Sequence, residues 1–356
     1  MNGTGAIKDT PDYRDFEYNE IAFGAAPFDW NVGFDIEEKI GFVTGNPTFK
    51  IPVKDQDGSG SCGGQAWSYY NAAFEAVATG TYEERSARYI YSQTYVFPAG
   101  SRGRDNSELV KTQGVAQEKL FTSYKNGLPP DEVFMQSKTD MNDSHRADAK
   151  KARALSYANV QINIDEMAQA IRDNNGMVIG IVGQNNGTWY SKFPQPPTMN
   201  QDRWYHWVYV GKAKLIDGKK YIGFINSWGP SIGEQGWQWV GEDYLDLILP
   251  GDPYGRAIWQ GWTHVFNPDG LPVNFHHTFT IDLFKGMTSP EVEKLQTALQ
   301  LEKCFPESIK PTQYFGDITL AAVKKFQVKY GIANWMSLGY GRCGPKTRAK
   351  LNSLFS

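Results

Sequence analysis

The chain has 356 residues, 40% of them hydrophobic and 14% aromatic, which is enough apolar material for two domains or for one large domain with an appendage. Its 36 basic and 39 acidic residues leave a formal charge of −3, which argues against a nucleic-acid binder. There is no run of eighteen apolar residues to span a membrane, no apolar core of a signal peptide in MNGTGAIKDTPDYRDF, and no Cys/His cluster that suggests a metal.

The charge is unevenly spread. Leu283–Ser356 carries eleven Lys and Arg against five Asp and Glu, or +6, leaving 25 against 34, or −9, in the residues before it. Two regions of opposite sign suggest two modules with different partners. Of the three cysteines, Cys62, Cys304 and Cys343, only Cys62 falls in the first 282 residues, so no disulfide forms within that stretch.

Residues 1–27 read as an extended polar arm. After Phe28, Trp30 and Phe34 the chain reaches the glycine- and serine-rich stretch QDGSGSCGGQA, Gln56 to Ala66. Trp67, Tyr70, Ala73, Phe74 and Val77 then recur at helical spacing, predicting a buried helix with Cys62 at its N-terminus. Unpaired N–H groups and the helix dipole at such a position favour a thiolate. A second helix is expected over Glu83–Tyr95, a loop over Pro98–Asn106, and a short helix that begins with Ser107–Lys111 and ends near Gly114. Residues 125–150 read as a polar surface excursion or a helical insertion.

From there the pattern turns to strands: Ala158–Ile162, then a helix over Asp165–Asn174 capped by Asp165, then the apolar strand Met177–Val182. Pro194, Pro196 and Pro197 break the next loop, and Trp204–Gly211 and Lys219–Asn226 form two strands joined at Asp217-Gly218. A helical first half followed by a strand-rich second half suggests two packed subdomains with a cleft between them. Residues 267–282 have linker composition, and three further helices are expected over Ser289–Leu301, Thr319–Tyr330 and Lys346–Leu354.

A cysteine nucleophile needs a base, a group that orients the base, and donors for the oxyanion. His206 lies in WYHWVYVG, and Asn226 opens NSWG at the end of the next strand, so adjacent antiparallel strands bring the two together. Trp228 is placed to cover a His–Asn hydrogen bond from water, and Gln56, six residues before Cys62, to offer its amide to an oxyanion. Singly, each has a plainer reading: a small buried thiol, a core histidine, a turn asparagine, a core tryptophan.

Taken together, Gln-x5-Cys before a helix, a histidine about 144 residues on, and NSWGPSIGEQG from Asn226 to Gly236 resemble the papain family of cysteine peptidases. The resemblance covers roughly Phe28 to Val265. It implies an α+β catalytic domain over residues 28–266, with a helical left half carrying Cys62 and a β-barrel-like right half carrying His206 and Asn226. It also implies a thiolate–imidazolium pair of Cys62 and His206, orientation of His206 by Asn226, an oxyanion role for Gln56, and no metal or other cofactor. Tyr205 is the candidate for the border of a substrate pocket. The departures are Ser59 where the family has a disulfide-bonded cysteine, and Gly63 where it has an aromatic. The alternative alignment, with Gln65 at the nucleophile position, breaks the Gln-x5-Cys spacing. The arm of 27 residues is too short for the family's long inhibitory propeptide, leaving two readings: no latency, or another task for the arm.

SPEVEKLQTALQ, YFGDITLAAVKKFQVKYGI and GYGRCGPKTRAKLN, between Ser289 and Leu354, resemble the three-helix peptidoglycan-binding domain. This implies that residues 283–356 bind peptidoglycan, to which their positive charge suits them, and that the protein acts outside the cell or at its envelope. Cys304 and Cys343 either pair or remain two buried thiols. The combined reading is a cysteine endopeptidase brought to bacterial cell wall, with protein or peptide as substrate. Two alternatives stay open: a hydrolase of the peptidoglycan peptide (an autolysin or phage lysin) and a catalytically inactive wall-binding protein.

Overall fold

The computed structural model describes residues 5–10, 12, 18, 27–125, 127, 131–198, 202–265, 277–302, 304–306, 309 and 311–355. They fall into two compact units, one whose described part ends at 265 and one whose described part begins at 277. Much of the arm 1–27 and most of the linker 267–282 lies outside the described residues.

The larger unit opens with strand β1, Ala6–Ile7, followed by β2, Phe34–Asp35, and helix α1, Ile36–Thr44. Asp35 caps α1 by accepting the Glu37 N–H. Helix α2, Cys62–Thr79, is the axis of the helical half and ends at Gly80, whose φ of 72° suits a left-handed cap. It is apolar nearly all round, so it is buried nearly all round: Trp67, Tyr69, Tyr70, Ala73 and Phe74 are all inside. Trp67 meets Trp207 edge-on at 5.4 Å, and Tyr70 stacks on Tyr209 and His264 at 5.4 and 5.1 Å. Each such pair adds about 1 kcal/mol to the area it buries, and together they weld α2 to the sheet.

Helix α3 is Ala87–Thr94, capped by Ser86; strand β3, Ser101–Arg102, and helix α4, Gly103–Thr112, follow. The third helix therefore begins at Ala87 rather than Glu83, and the fourth at Gly103 rather than Ser107. The excursion at 125–150 contains two short helices, α5 Glu132–Gln136 and α6 Asp143–Ala149. It is not purely surface, because Met135, Asp148 and Ala149 are buried.

The strand half is one antiparallel sheet of seven strands. Beyond β2 these are β4 Ser156–Asn159, β5 Met177–Gln184, β6 Arg203–Ile216, β7 Lys219–Ile225, β8 Trp237–Gly241 and β9 Ile258–Val265. Their order is β4-β9-β5-β6-β7-β8, with β2 on β6, so among the described residues the sheet stays open and does not close into a barrel. The β6–β7 turn is Asp217-Gly218, with φ of 49° and 75°, as an Asp-Gly hairpin requires. Helix α7, Ile164–Asn174, is capped by Asn163 rather than Asp165. Asp165 sits in the first turn, where its carboxylate accepts from Lys220 Nζ and Trp30 Nε1. A short helix α8, Glu242–Leu245, follows β8.

The smaller unit holds helices α9 Pro290–Leu301, α10 Asp317–Lys329 and α11 Pro345–Phe355 around a core of Val292, Leu295, Leu299, Val323, Phe326 and Leu351. Ser289 caps α9, with Pro290 in its first turn. Cys304 and Cys343 are free and buried, so the two-thiol reading holds. Gln296 and Gln327 are polar centres in this core. Gln327 Nε2 donates to Gly339 O, Arg342 O and Thr347 Oγ1, while its Oε1 accepts the Gly341 N–H at 2.7 Å.

Candidate active site

Cys62 is the first residue of α2 and is completely buried. The backbone of Trp207, Gly5 and Gly63 lies beside its sulfur and favours a thiolate. Trp207 directly follows His206 on β6, so the imidazole strand reaches the thiol through its backbone. Gly63 has no space for the aromatic that the family resemblance leads one to expect. A β-carbon there would lie 2.2 Å from Ser101 Oγ and 2.6 Å from Asn106 Nδ2, with the Trp207 ring next at 3.4 Å. At the other departure, the Ser59 hydroxyl donates to Gln56 O at 2.7 Å and lies 2.7 Å from Ser61 Oγ, so hydrogen bonds bind this turn where the family uses a disulfide.

His206 is also fully buried. Its Nε2 is 3.0 Å from Asn226 Oδ1, while its Nδ1 has no hydrogen-bond partner, leaving one ring nitrogen held and the other open to exchange a proton. Antiparallel pairing of β6 with β7 sets Ile225 opposite Tyr209, so Asn226, following the last residue of β7, reaches His206 diagonally across the pair. Trp228 lies over the pair, its ring 5.0 Å from the imidazole, and Trp204 closes the side at 6.0 Å. Gln238 was not singled out from sequence. Its Oε1 accepts from Asn226 Nδ2 at 2.8 Å and its Nε2 donates to Trp189 O and Ser191 O. Its signal was a lone amide among the tryptophans of WQWVG, the one polar side chain in an apolar strand.

Gln56 joins the two halves: its N–H donates to Ser227 O, its Oε1 accepts from Ser227 Oγ at 2.6 Å, and its Nε2 donates to Ser59 O at 2.9 Å. Tyr205 stacks on Tyr254 at 3.9 Å, with its hydroxyl 3.3 Å from Asp252 Oδ2.

Residues 5–10 of the arm lie between the halves. β1 pairs in parallel with β3, and Gly5 O accepts the Ser101 N–H at 2.9 Å. Tyr254 Oη donates to Ala6 O at 3.1 Å, Lys8 Nζ donates to Tyr254 O, and Asp9 Oδ2 accepts the Arg104 N–H near the start of α4. The segment thus takes contacts from both sides and covers the thiol.

This cover reverses the electrostatics expected at a helix N-terminus. Burial pushes the Cys62 thiol up to about 11, outweighing the three backbone contacts that favour a thiolate. Burial likewise pushes His206 down to about 4, against the opposing pull of Asn226. With the groove filled, burial disfavours the charged form of both thiol and imidazole, against the ion pair that the sequence resemblance implies.

A buried cysteine at the head of a helix and a His–Asn pair on the facing sheet, under a tryptophan, are arranged on the papain-like cysteine protease fold. Xylellain, a cysteine protease from Xylella fastidiosa, matches with a TM-score of 0.57 and 20% identity, over 75% of this chain and 97% of that one. Procathepsin B S9 from Trypanosoma congolense matches with a TM-score of 0.53 and 16% identity, over 74% and 86%. A digestive procathepsin L 3 from the larval midgut of Tenebrio molitor gives 0.52 and 13%, over 74% and 76%. A family model for a peptidoglycan binding domain matches residues 288–351, so the chain carries that domain at its C-terminal end. No curated protein matches the sequence.

Proposed function

We propose that residues 28–266, within the larger unit, form a cysteine endopeptidase and that residues 283–356 hold it on bacterial cell wall, at or outside the cell envelope. The observation that carries this reading is the state of His206: Nε2 held by Asn226, Nδ1 buried without a partner, and the backbone of the next residue, Trp207, beside the Cys62 sulfur. In the reaction, His206 takes the thiol proton and the sulfur attacks the peptide carbonyl. The oxyanion is received by the Gln56 amide and the Cys62 N–H, the C–N bond breaks as the imidazolium protonates the leaving amine, and a thioester remains. Water, deprotonated by His206, then hydrolyses the thioester and restores the thiol. Asn226 keeps the ring in the required tautomer, Trp228 keeps water from their hydrogen bond, and Tyr205 borders the substrate. Protein substrates suit the fold, and the peptidoglycan-binding domain gives the wall peptide as the second reading.

Labelling with an epoxide inhibitor of cysteine peptidases in the Gly5→Val background, where the arm no longer blocks the groove, with and without Cys62→Ala, tests the nucleophile; an adduct that persists with Cys62→Ala, or none in either, removes the claim. Zymograms with casein and with purified cell wall separate the two substrates.

A further inference from the structure

Three glycine backbones meet beside Cys62, and none has room for a side chain. A β-carbon on Gly5 would stand 2.0 Å from Gly60 O and 2.8 Å from Gly100 Cα, both backbone atoms. On Gly100 it would come within 2.3 Å of Gly5 O, and on Gly60 within 2.9 Å of the Ala99 methyl. Either the occupant lacks a side chain here or a wall moves.

The walls are held from behind. Gly60 N–H donates to Glu132 Oε2 at 2.5 Å, Gly100 N–H donates to the Tyr91 hydroxyl at 2.8 Å, and that hydroxyl donates to Glu132 Oε1 at 2.6 Å. Gly100 O in turn accepts the Val96 N–H. One carboxylate therefore ties both sides of the passage, and it does so through backbone groups that cannot swing aside as a long side chain would.

We propose that this passage is a glycine-selective subsite. On the peptidase reading above, on which this rests, the preferred substrate is a peptide with glycine at the residue whose carbonyl takes the Ser101 N–H. A peptide replacing residues 5–10 finds the same donor and threads the same walls, and a side chain at that position meets fixed backbone. Rejection by a fixed wall discriminates more sharply than a loose fit among mobile side chains.

The full-length chain tests this in two stages. Gly5→Ala and Gly5→Val are expelled from the passage, so iodoacetamide alkylates Cys62 about tenfold faster, or more, than in wild type. Unchanged rates in both variants overturn the subsite. In Gly5→Val, peptidyl vinyl sulfones carrying Gly, Ala or Leu at each of the two residues next to the warhead are then compared. Glycine labels faster by about tenfold or more at one of the two, and equal rates at both overturn the proposal. Peptide hydrolysis measured alongside separates the two claims. Turnover without glycine preference removes the subsite alone, whereas no turnover of any glycine peptide by a freely alkylated Cys62 removes the peptidase reading with it.

Discussion

Gln238 Oε1 accepts a hydrogen bond from Asn226 Nδ2 at 2.8 Å, and this contact decides which end of the Asn226 amide faces His206. An amide can present either oxygen or nitrogen; here the nitrogen is claimed from behind. Ser227 N–H adds a second bond to Asn226 Oδ1, also at 2.8 Å, so the oxygen is left towards the imidazole. Replacing Gln238 with Leu strands Asn226 Nδ2 and the two carbonyls that Gln238 Nε2 serves. The expected cost is about 3 kcal/mol of stability, with peptide turnover lowered by about tenfold because the ring loses its support. Urea unfolding and steady-state kinetics check this; wild-type turnover in a folded Gln238→Leu protein would show that Asn226 needs no such backing.

The division of labour between His206 and Asn226 leads to unequal losses. On the proposed mechanism His206→Ala removes the base and should lower kcat by about a thousandfold or more. Asn226→Ala removes only orientation, and measurable activity should remain. Equal and complete loss in both would contradict the assigned roles.

Acid should destabilise the larger unit. Burial holds His206 and His264 down to about 4 and about 3, against about 6.5 for an exposed imidazole. Below pH 6.5 the unfolded chain takes up protons that the native chain refuses. The stability these two groups contribute is therefore complete above pH 6.5 and declines as pH falls towards 4, by about 1.4 kcal/mol per pH unit for each. Denaturation midpoints that stay level between pH 7 and pH 5 would refute their neutral burial.

In the smaller unit, Gln327→Leu should cost about 3 kcal/mol or more, because it leaves Gly339 O, Arg342 O and the Gly341 N–H without their partner inside the core. Retention on purified cell wall should fall with it. Retention equal to wild type, with an unchanged melt of this unit, would show that the glutamine is dispensable.

The parts legible in the sequence are those whose cause is local. The spacing of Trp67, Tyr70 and Phe74 defines α2, Asp217-Gly218 defines the hairpin, and Ser289-Pro290 starts α9. What escaped depends on distant partners. Asp165 looks like a cap until Lys220 and Trp30 claim its carboxylate, which leaves capping to Asn163. The α3 start shifts because Arg85 is buried, bonded to Glu75 and to Val115 O, while Ser86 caps the helix. The thiolate expectation treated Cys62 as a helix terminus in water, whereas residues a half-hundred positions upstream exclude that water. Gln238 could be seen as a polar residue in an apolar strand, but its partner Asn226 lies across the β7–β8 pairing.

The arm's position has a practical corollary for anyone counting active molecules. A reagent that needs bulk access to sulfur will register few sites on intact protein, however pure the sample, because residues 5–10 occupy the approach. Concentrations of competent enzyme taken from thiol titration therefore require the native and urea-unfolded readings side by side, with Cys304 and Cys343 accounting for two of the three thiols that urea exposes.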